Sequence, residues 1–126
     1  MNSVLIIEDE IILQDVYKLI LSSRGFKVET ANNGFEGLQQ LKANAPDVVL
    51  IDIFMPVMDG KEVLRNINIS DYPNTKFIVN TNLSDNETEA EMLKLGVHKF
   101  VLKSNMTPDD LVDLVTQMVR LIRKKK

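Results

Sequence analysis

The sequence has no cysteine and a single histidine, His98. The first absence excludes a disulfide framework, a thiolate nucleophile and any cysteine-based metal centre. The second excludes a histidine cluster for a metal and leaves a Ser-His triad hard to assemble. No apolar run approaches the roughly 20 residues needed to span a bilayer. The chain enters a strand pattern at Val4 with no basic region or long apolar segment ahead of it. A soluble protein of a reducing compartment is the expectation, hence cytoplasmic, without membrane contact. A glycine-rich Lys motif is also missing, which excludes a P-loop nucleotidase. Repeats, low-complexity segments and linkers are lacking.

What is present is ordinary in bulk. The chain has 126 residues, 44% hydrophobic and 26% charged, enough to bury a core, and reads as one domain over residues 1–126. The net charge of −3 hides an uneven distribution. Arg120, Arg123, Lys124, Lys125 and Lys126 supply five of the 15 basic residues, and all 18 acidic residues precede them. So acidic a body does not look like a nucleic-acid binder. The basic tail reads as a solvated helix end that complements the helix dipole.

Two all-apolar runs, Val4-Leu5-Ile6-Ile7 and Val48-Val49-Leu50-Ile51, predict strands buried on both faces. Phe26 to Ala31 alternates and predicts a strand near an edge. Phe77-Ile78-Val79, ending around Asn80-Thr81-Asn82, and Phe100-Val101-Leu102 complete five strands. Five helical patterns lie between and after them. The first has apolar residues at Ile12, Val16, Leu19 and Ile20 and stops at Gly25. The second presents Phe35, Leu38 and Leu41. The third begins at Asp59 with Glu62 three residues on, a capping pattern, and buries Val63, Leu64 and Ile67. The fourth follows Ser84-Asp85-Asn86-Glu87, with Ala90, Leu93 and either Met92 or Leu95 as its thin apolar face, and ends at Gly96. The last starts at Thr107-Pro108-Asp109-Asp110 and carries a stripe of Leu111, Leu114, Val115, Met118, Leu121 and Ile122. Met118 is core filler in this stripe. Strands alternating with helices predict a parallel sheet covered on both faces.

Parallel topology gathers the strand carboxyl ends at one edge, where open α/β sheets bind ligands. The first strand delivers Glu8 and Asp9, the third Asp52, the fourth Thr81 and the fifth Lys103. A lone strand-end Asp, Lys or Thr is most often a solvated residue, but these would converge. Three neighbouring carboxylates repel one another, and a divalent cation removes that conflict. Mg²⁺ suits a site of one or two carboxylates, water and a phosphate. Lys103 offers a compact positive charge for a phosphoryl oxygen and Thr81 a hydroxyl donor. A carboxylate nucleophile beside a metal can form an aspartyl phosphate.

Glu8-Asp9, Pro46 to Asp52, Met55-Pro56 with Met58-Asp59-Gly60, Thr81 and Lys103 stand in the order and spacing of one family. The chain resembles, over essentially its whole length, the response-regulator receiver domains of two-component signalling. That resemblance implies a flavodoxin-like fold with strand order 2-1-3-4-5. It implies that Asp52 accepts a phosphoryl group from a phosphohistidine on a sensor histidine kinase or phosphotransfer protein. Asp9, Asp52 and the backbone carbonyl of Phe54 would ligate Mg²⁺, with Glu8 acting mainly through water. Thr81 and Lys103 would grip the phosphoryl group. Phe100 aligns with a switch aromatic that turns inward as the Thr moves, changing the surface of helix four, strand five and helix five. A downstream protein or an output domain outside this sequence would read that surface. The only chemistry implied is self-phosphorylation and slow self-dephosphorylation, so the chain is not an enzyme in the ordinary sense. His98 is then structural or exposed, the phosphohistidine being the partner's.

The sequence departs from the family pattern at several positions. Ser104 replaces the usual Pro after the Lys, Asn82 the usual small residue after the Thr, and Asn80 is a polar residue in the fourth strand. Phe54 and Leu83 lie two positions beyond Asp52 and Thr81, beside the path expected for attacking water, which predicts slow hydrolysis. Two other readings compete. A haloacid-dehalogenase-like phosphatase also uses a strand-end Asp and Mg²⁺, but Asp52-Ile53-Phe54 lacks its second acid. A phosphorylation-independent interaction module is the other; the complete set of site residues ranks it second.

Overall fold

The two all-apolar runs lie side by side at the centre of the molecule. In the computed structural model, which describes residues 2–55, 57–82 and 86–124 with side chains to residue 121, strand β1 (Ser3–Ile7) pairs in parallel with β3 (Val48–Ile51). Val4 opposes Val48 and Ile7 opposes Ile51. On the far side of β1 lies β2 (Lys27–Ala31), an edge strand as its alternation predicts. Beyond β3 come β4 (Lys76–Thr81) and β5 (Lys99–Leu102), so the all-parallel order is β2-β1-β3-β4-β5.

Because strand side chains alternate between faces, the two halves of each apolar run feed two cores. Val4, Ile6, Val48, Leu50 and Ile78 face helices α1 (Ile11–Ser23) and α5 (Pro108–Lys124), meeting Tyr17, Leu21, Leu111, Val115 and Met118. Leu5, Ile7, Val49, Ile51, Phe77 and Val79 face α2 (Gly34–Asn44), α3 (Gly60–Arg65) and α4 (Asn86–Lys94), meeting Leu41, Val63, Leu64 and Met92. This is the doubly wound arrangement, and its crevice lies between β1 and β3, where the chain order reverses.

The predicted punctuation is largely present. Asp59 and Glu62 form a reciprocal capping box at α3, and Thr107 and Asp110 exchange the same pair of bonds at α5. Gly25 and Gly96 end α1 and α4 at φ +91 and +109, a conformation that disfavours any side chain. The cap expected at Ser84, partner of Glu87 in a capping box, lies outside the described residues. His98 is exposed; its Nδ1 accepts the Phe77 N–H at 3.0 Å while its ring stacks on that phenylalanine.

Three helices present different faces from those expected. In α1 the buried residues are Gln14, Tyr17 and Leu21, with Ile20 half-buried, while Ile12, Val16 and Leu19 point to solvent. Gln14 is tolerated inside because its amide donates to the carbonyls of Glu8 and Ala31 and to Asn32 Oδ1. In α2 Phe35 is exposed, Leu38 is half-buried, and Gly34 and Gly37 join Leu41 on the inner face. A Cβ on Gly37 would fall 2.5 Å from Ile7 Cδ1, so its bare backbone lets the helix lie against β1. In α4 Ala90 and Leu93 are exposed, while Thr88 and Met92 are buried and Leu95 is half-buried. The α5 stripe holds from Leu111 to Met118, but Leu121 is exposed and the Ile122 side chain lies outside the described residues.

Candidate functional site

Each strand end hands one residue to the crevice. Ile7, Ile51 and Val79 are level across the sheet, so Glu8, Asp52 and Asn80 follow at the same height and on the α1/α5 side. The Asp52 N–H donates to the Ile7 carbonyl at 3.1 Å, extending the β1–β3 ladder one step and fixing the Asp52 backbone. The Glu8 N–H does the same toward the Ala31 carbonyl at 3.0 Å. Gly60 then returns to the sheet edge, its N–H donating to the Ile53 carbonyl at 2.9 Å. A Cβ on Gly60 would lie 2.4 Å from the Asp52 carbonyl oxygen, so this close return requires glycine.

The carboxylates of Glu8, Asp9 and Asp52 converge, with one oxygen from each within 4.8 Å of the others. Glu8 is 2% and Asp52 7% exposed, while Asp9 is half-buried at the rim. Lys103, just beyond β5, reaches in: its Nζ lies 2.5 Å from Glu8 Oε1 and 3.0 Å from Asp52 Oδ2. The other Asp52 oxygen accepts the Phe54 N–H at 3.2 Å, and the other Glu8 oxygen accepts the Glu10 N–H at 3.2 Å. Thr81 closes β4 fully buried, paired in register with Leu102 immediately before Lys103. Ser104 lies in a single 3₁₀ turn, Lys103–Asn105, that leads from β5 toward α5.

Burial pushes the Glu8 carboxyl up to about 7, against the opposing pull of its Lys103 hydrogen bond and the Glu10 N–H, and the Asp52 charge adds to the rise. Burial works against the Lys103 ammonium too, but its hydrogen bonds to Glu8 and Asp52 and their charges prevail and hold it above its ordinary value. Among the described residues one ammonium, Lys103, pairs with two of the three converging carboxylates, so the site is short of positive charge. Oxygen donors alone, two of them nearly dehydrated, fit a hard divalent cation such as Mg²⁺.

Of the residues singled out in the sequence, Glu8, Asp9, Asp52 and Lys103 are brought together directly. Thr81 closes the neighbouring strand. Phe54 contributes its N–H to Asp52 while its side chain is about half exposed. Phe100 is half-buried against the α2–α4 core. Sequence reasoning missed Gln14 and Tyr17. Gln14 fastens the Glu8 carbonyl, and the Tyr17 hydroxyl accepts from Asn80 Nδ2 at 3.0 Å just beneath the carboxylates. A polar residue at Asn80 was the visible signal; nothing in the helical periodicity of α1 marked its partner.

A five-stranded parallel sheet of this order with an acidic crevice at its switch point defines a flavodoxin-like α/β protein. Residues 4–116 match the model of the response regulator receiver domain. The chain is 37% identical over 103 residues to the "Probable C4-dicarboxylate response regulator DctR" of Priestia megaterium, covering 80% of this chain and 45% of that protein. It is 34% identical over 125 residues to "Regulatory protein AtoC" of Escherichia coli K12, covering 99% of this chain and 27% of that protein. Less than half the length of these curated relatives is thus spanned. Among solved structures, a CheY-like receiver domain protein from Methanospirillum hungatei superposes with a TM-score of 0.93 at 27% identity, covering 100% of this chain and 99% of its own. The chain belongs to the response regulator receiver domain family of two-component systems. Phosphorylation-dependent switching and Mg²⁺ binding at an acidic pocket are general to that family, whose members are signalling domains and not conventional enzymes. Among the described residues no helix is long and apolar enough to cross a membrane.

Proposed function

We propose that this chain is a phosphorylation-dependent switch in which Asp52 accepts a phosphoryl group from a phosphohistidine of a sensor histidine kinase or phosphotransfer protein. The observation that carries this reading is the Asp52 carboxylate, clamped at a strand end by the Phe54 N–H on one oxygen and Lys103 on the other. A carboxylate oxygen of Asp52 forms the new P–O bond as the P–N bond breaks and its electron pair leaves on the imidazole nitrogen. Glu8, Asp9, Asp52 and the Phe54 carbonyl are the groups that would hold Mg²⁺. Bound there, Mg²⁺ supplies the charge neutralisation that this crowd of carboxylates lacks. Lys103 and Thr81 hold the transferred group through charge and a hydroxyl donor.

The same chemistry that loads the site biases its surroundings. Thr81 moves toward the phosphoryl oxygens, Phe100 follows into the space behind it, and the face made by α4, β5 and α5 changes shape for a downstream protein or an output domain. Residues 1–126 form one receiver domain in this reading, with neither nucleic acid nor membrane as a direct ligand. Phe54, two positions beyond Asp52, lengthens the lifetime of the phosphoryl group by hindering attacking water, as does Leu83 in this reading, although Leu83 lies outside the described residues. Replacing both with polar residues should accelerate dephosphorylation, and an unchanged rate refutes that role.

Intact mass after incubation with a small-molecule phosphodonor and Mg²⁺ tests the central claim. A gain of one phosphoryl group in the parent and none in Asp52→Asn is expected. Equal gain in both would place the acceptor elsewhere, and no gain in the parent despite Mg²⁺ binding would favour a phosphorylation-independent module.

A further inference from the structure

Glu8 and Asp9 are consecutive, yet their carboxylates converge with that of Asp52. Successive side chains of a strand point to opposite faces. Along β1, Ile6 enters the α1/α5 core and Ile7 the other one, so an extended chain would send Glu8 and Asp9 to opposite sides of the sheet. The chain bends at Asp9 instead. The registered pairing of β1 with β2 ends at Ile7 and Ala31. Past that point the Glu8 N–H still reaches the Ala31 carbonyl, but the Glu8 carbonyl takes its donor from the side-chain amide of Gln14, in the first turn of α1. The Gln14 backbone N–H donates to the Glu10 carbonyl at 2.9 Å. One residue thus grips the carbonyl before Asp9 and the carbonyl after it.

The grip has its own anchor. Gln14 is 5% exposed, and its Nε2 also faces the Ala31 carbonyl at 3.3 Å and Asn32 Oδ1 at 2.9 Å, at and just past the end of β2. Two of its three acceptors are backbone carbonyls, which cannot donate, so the nitrogen of the amide and not its oxygen has to face them. A methionine at position 14 would fill the same space between α1 and the sheet. What the amide adds is a hold on the Glu8–Asp9 peptide, and the orientation of that peptide aims both carboxylates. We propose that Gln14 is a positioning residue of the cation site, its amide keeping the Glu8–Asp9 peptide turned so that both carboxylates are aimed at Mg²⁺ before the metal arrives. Groups that orient metal ligands in this way raise affinity without touching the metal. The proposal rests on the receiver reading and adds to it a residue that acts only through Glu8 and Asp9.

The test substitutes Gln14→Met, which keeps the length of the side chain and removes its donors. The Mg²⁺ dissociation constant, read by calorimetric titration, should rise about tenfold. In the metal-free variant, backbone ¹⁵N relaxation dispersion should show exchange confined to Glu8, Asp9 and Glu10, and Mg²⁺ should quench it. An unchanged dissociation constant beside a lower urea midpoint would make Gln14 a structural strut and overturn the proposal, as would exchange spread evenly along α1. A second measurement needs no core variant. In the metal-free parent, the side-chain amide protons of Gln14 should exchange with solvent about tenfold more slowly than those of the exposed Gln39. Equal rates would mean that the amide holds nothing, and would also overturn it. A parent that binds no Mg²⁺ and gains no phosphoryl group sinks the receiver reading itself. A parent that does both, beside a Gln14→Met protein that binds Mg²⁺ equally well, sinks only the role of Gln14.

Discussion

Glu8 is the residue in which the conflict within this site is concentrated. Its folded-state value near 7 lies above the unfolded value of 4.5. Between those values the folded protein holds a proton that the unfolded chain has released, so stability falls as pH rises across that window and levels off above it. In the absence of divalent cations the parent should lose about 3 kcal/mol more than Glu8→Gln between pH 4.5 and 7. Denaturant unfolding at a series of pH values would show this, and parallel curves for the two proteins would contradict it. Lys103 is the counterweight. In Lys103→Met two buried carboxylates lose the ammonium they share, and metal-free stability near pH 7 should fall by about 3 kcal/mol. Mg²⁺ should bind that variant more tightly, since a competing cation is gone; titration with and without the substitution decides it.

At the scale of elements, α2 and α4 depart from the faces that hydrophobic periodicity predicts, for different reasons. The inner face of α2 is made by Gly34, Gly37 and Leu41, so contact with β1 depends on missing side chains, which a search for large apolar residues cannot detect. Gly37→Ala should destabilise the fold by about 1–3 kcal/mol through overpacking against Ile7, with both γ-carbons of that residue also closer than 3 Å to the new methyl. A neutral result in chemical denaturation would mean the helix can lift off at no cost. Helix α4 has only Thr88 and Met92 fully inside, although Arg65, with Nε and Nη2 both on Glu91 Oε2, ties it to α3 at the surface. An exposed pair of this kind stabilises by about 1 kcal/mol or less. Amide exchange should therefore be faster along α4 than along α5, whose inner face buries Leu111, Val112, Val115, Met118 and Val119. Equal protection factors would argue against a loosely held α4. Helix α5 was legible because its face is apolar, regular and long. Helix α1 was misread because Gln14 and Tyr17 count as polar or amphipathic until their partners, Glu8, Ala31, Asn32 and Asn80, are brought to them by the sheet.

For the whole molecule, the sheet edge couples metal binding to global stability. A cation held by Glu8, Asp9 and Asp52 joins the ends of β1 and β3 and has no equivalent in the unfolded chain, so Mg²⁺ at 100 times its dissociation constant should add about 2.7 kcal/mol. Asp9→Asn should abolish most of that gain while leaving metal-free stability within about 0.5 kcal/mol, because Asp9 sits at the rim. Thermal unfolding across a Mg²⁺ series measures both effects, and a melting temperature indifferent to Mg²⁺ would remove the metal from the account.

Local chemistry in the chain was sufficient for the strand runs, the α3 and α5 caps, the glycine stops of α1 and α4 and the set of residues at the sheet edge. Each of these depends on neighbours within a few positions, or on a parallel topology that alternating patterns already imply. Tertiary structure alone decided which side of α1, α2 and α4 turns inward, because burial there is set by hydrogen-bond partners and close approaches from distant segments. It also decided that Lys103 pairs with Glu8 as well as Asp52, and that Asn80 and Tyr17 meet beneath them. Those contacts join residues separated by 51 to 95 positions, and only the packed sheet brings them within hydrogen-bond distance.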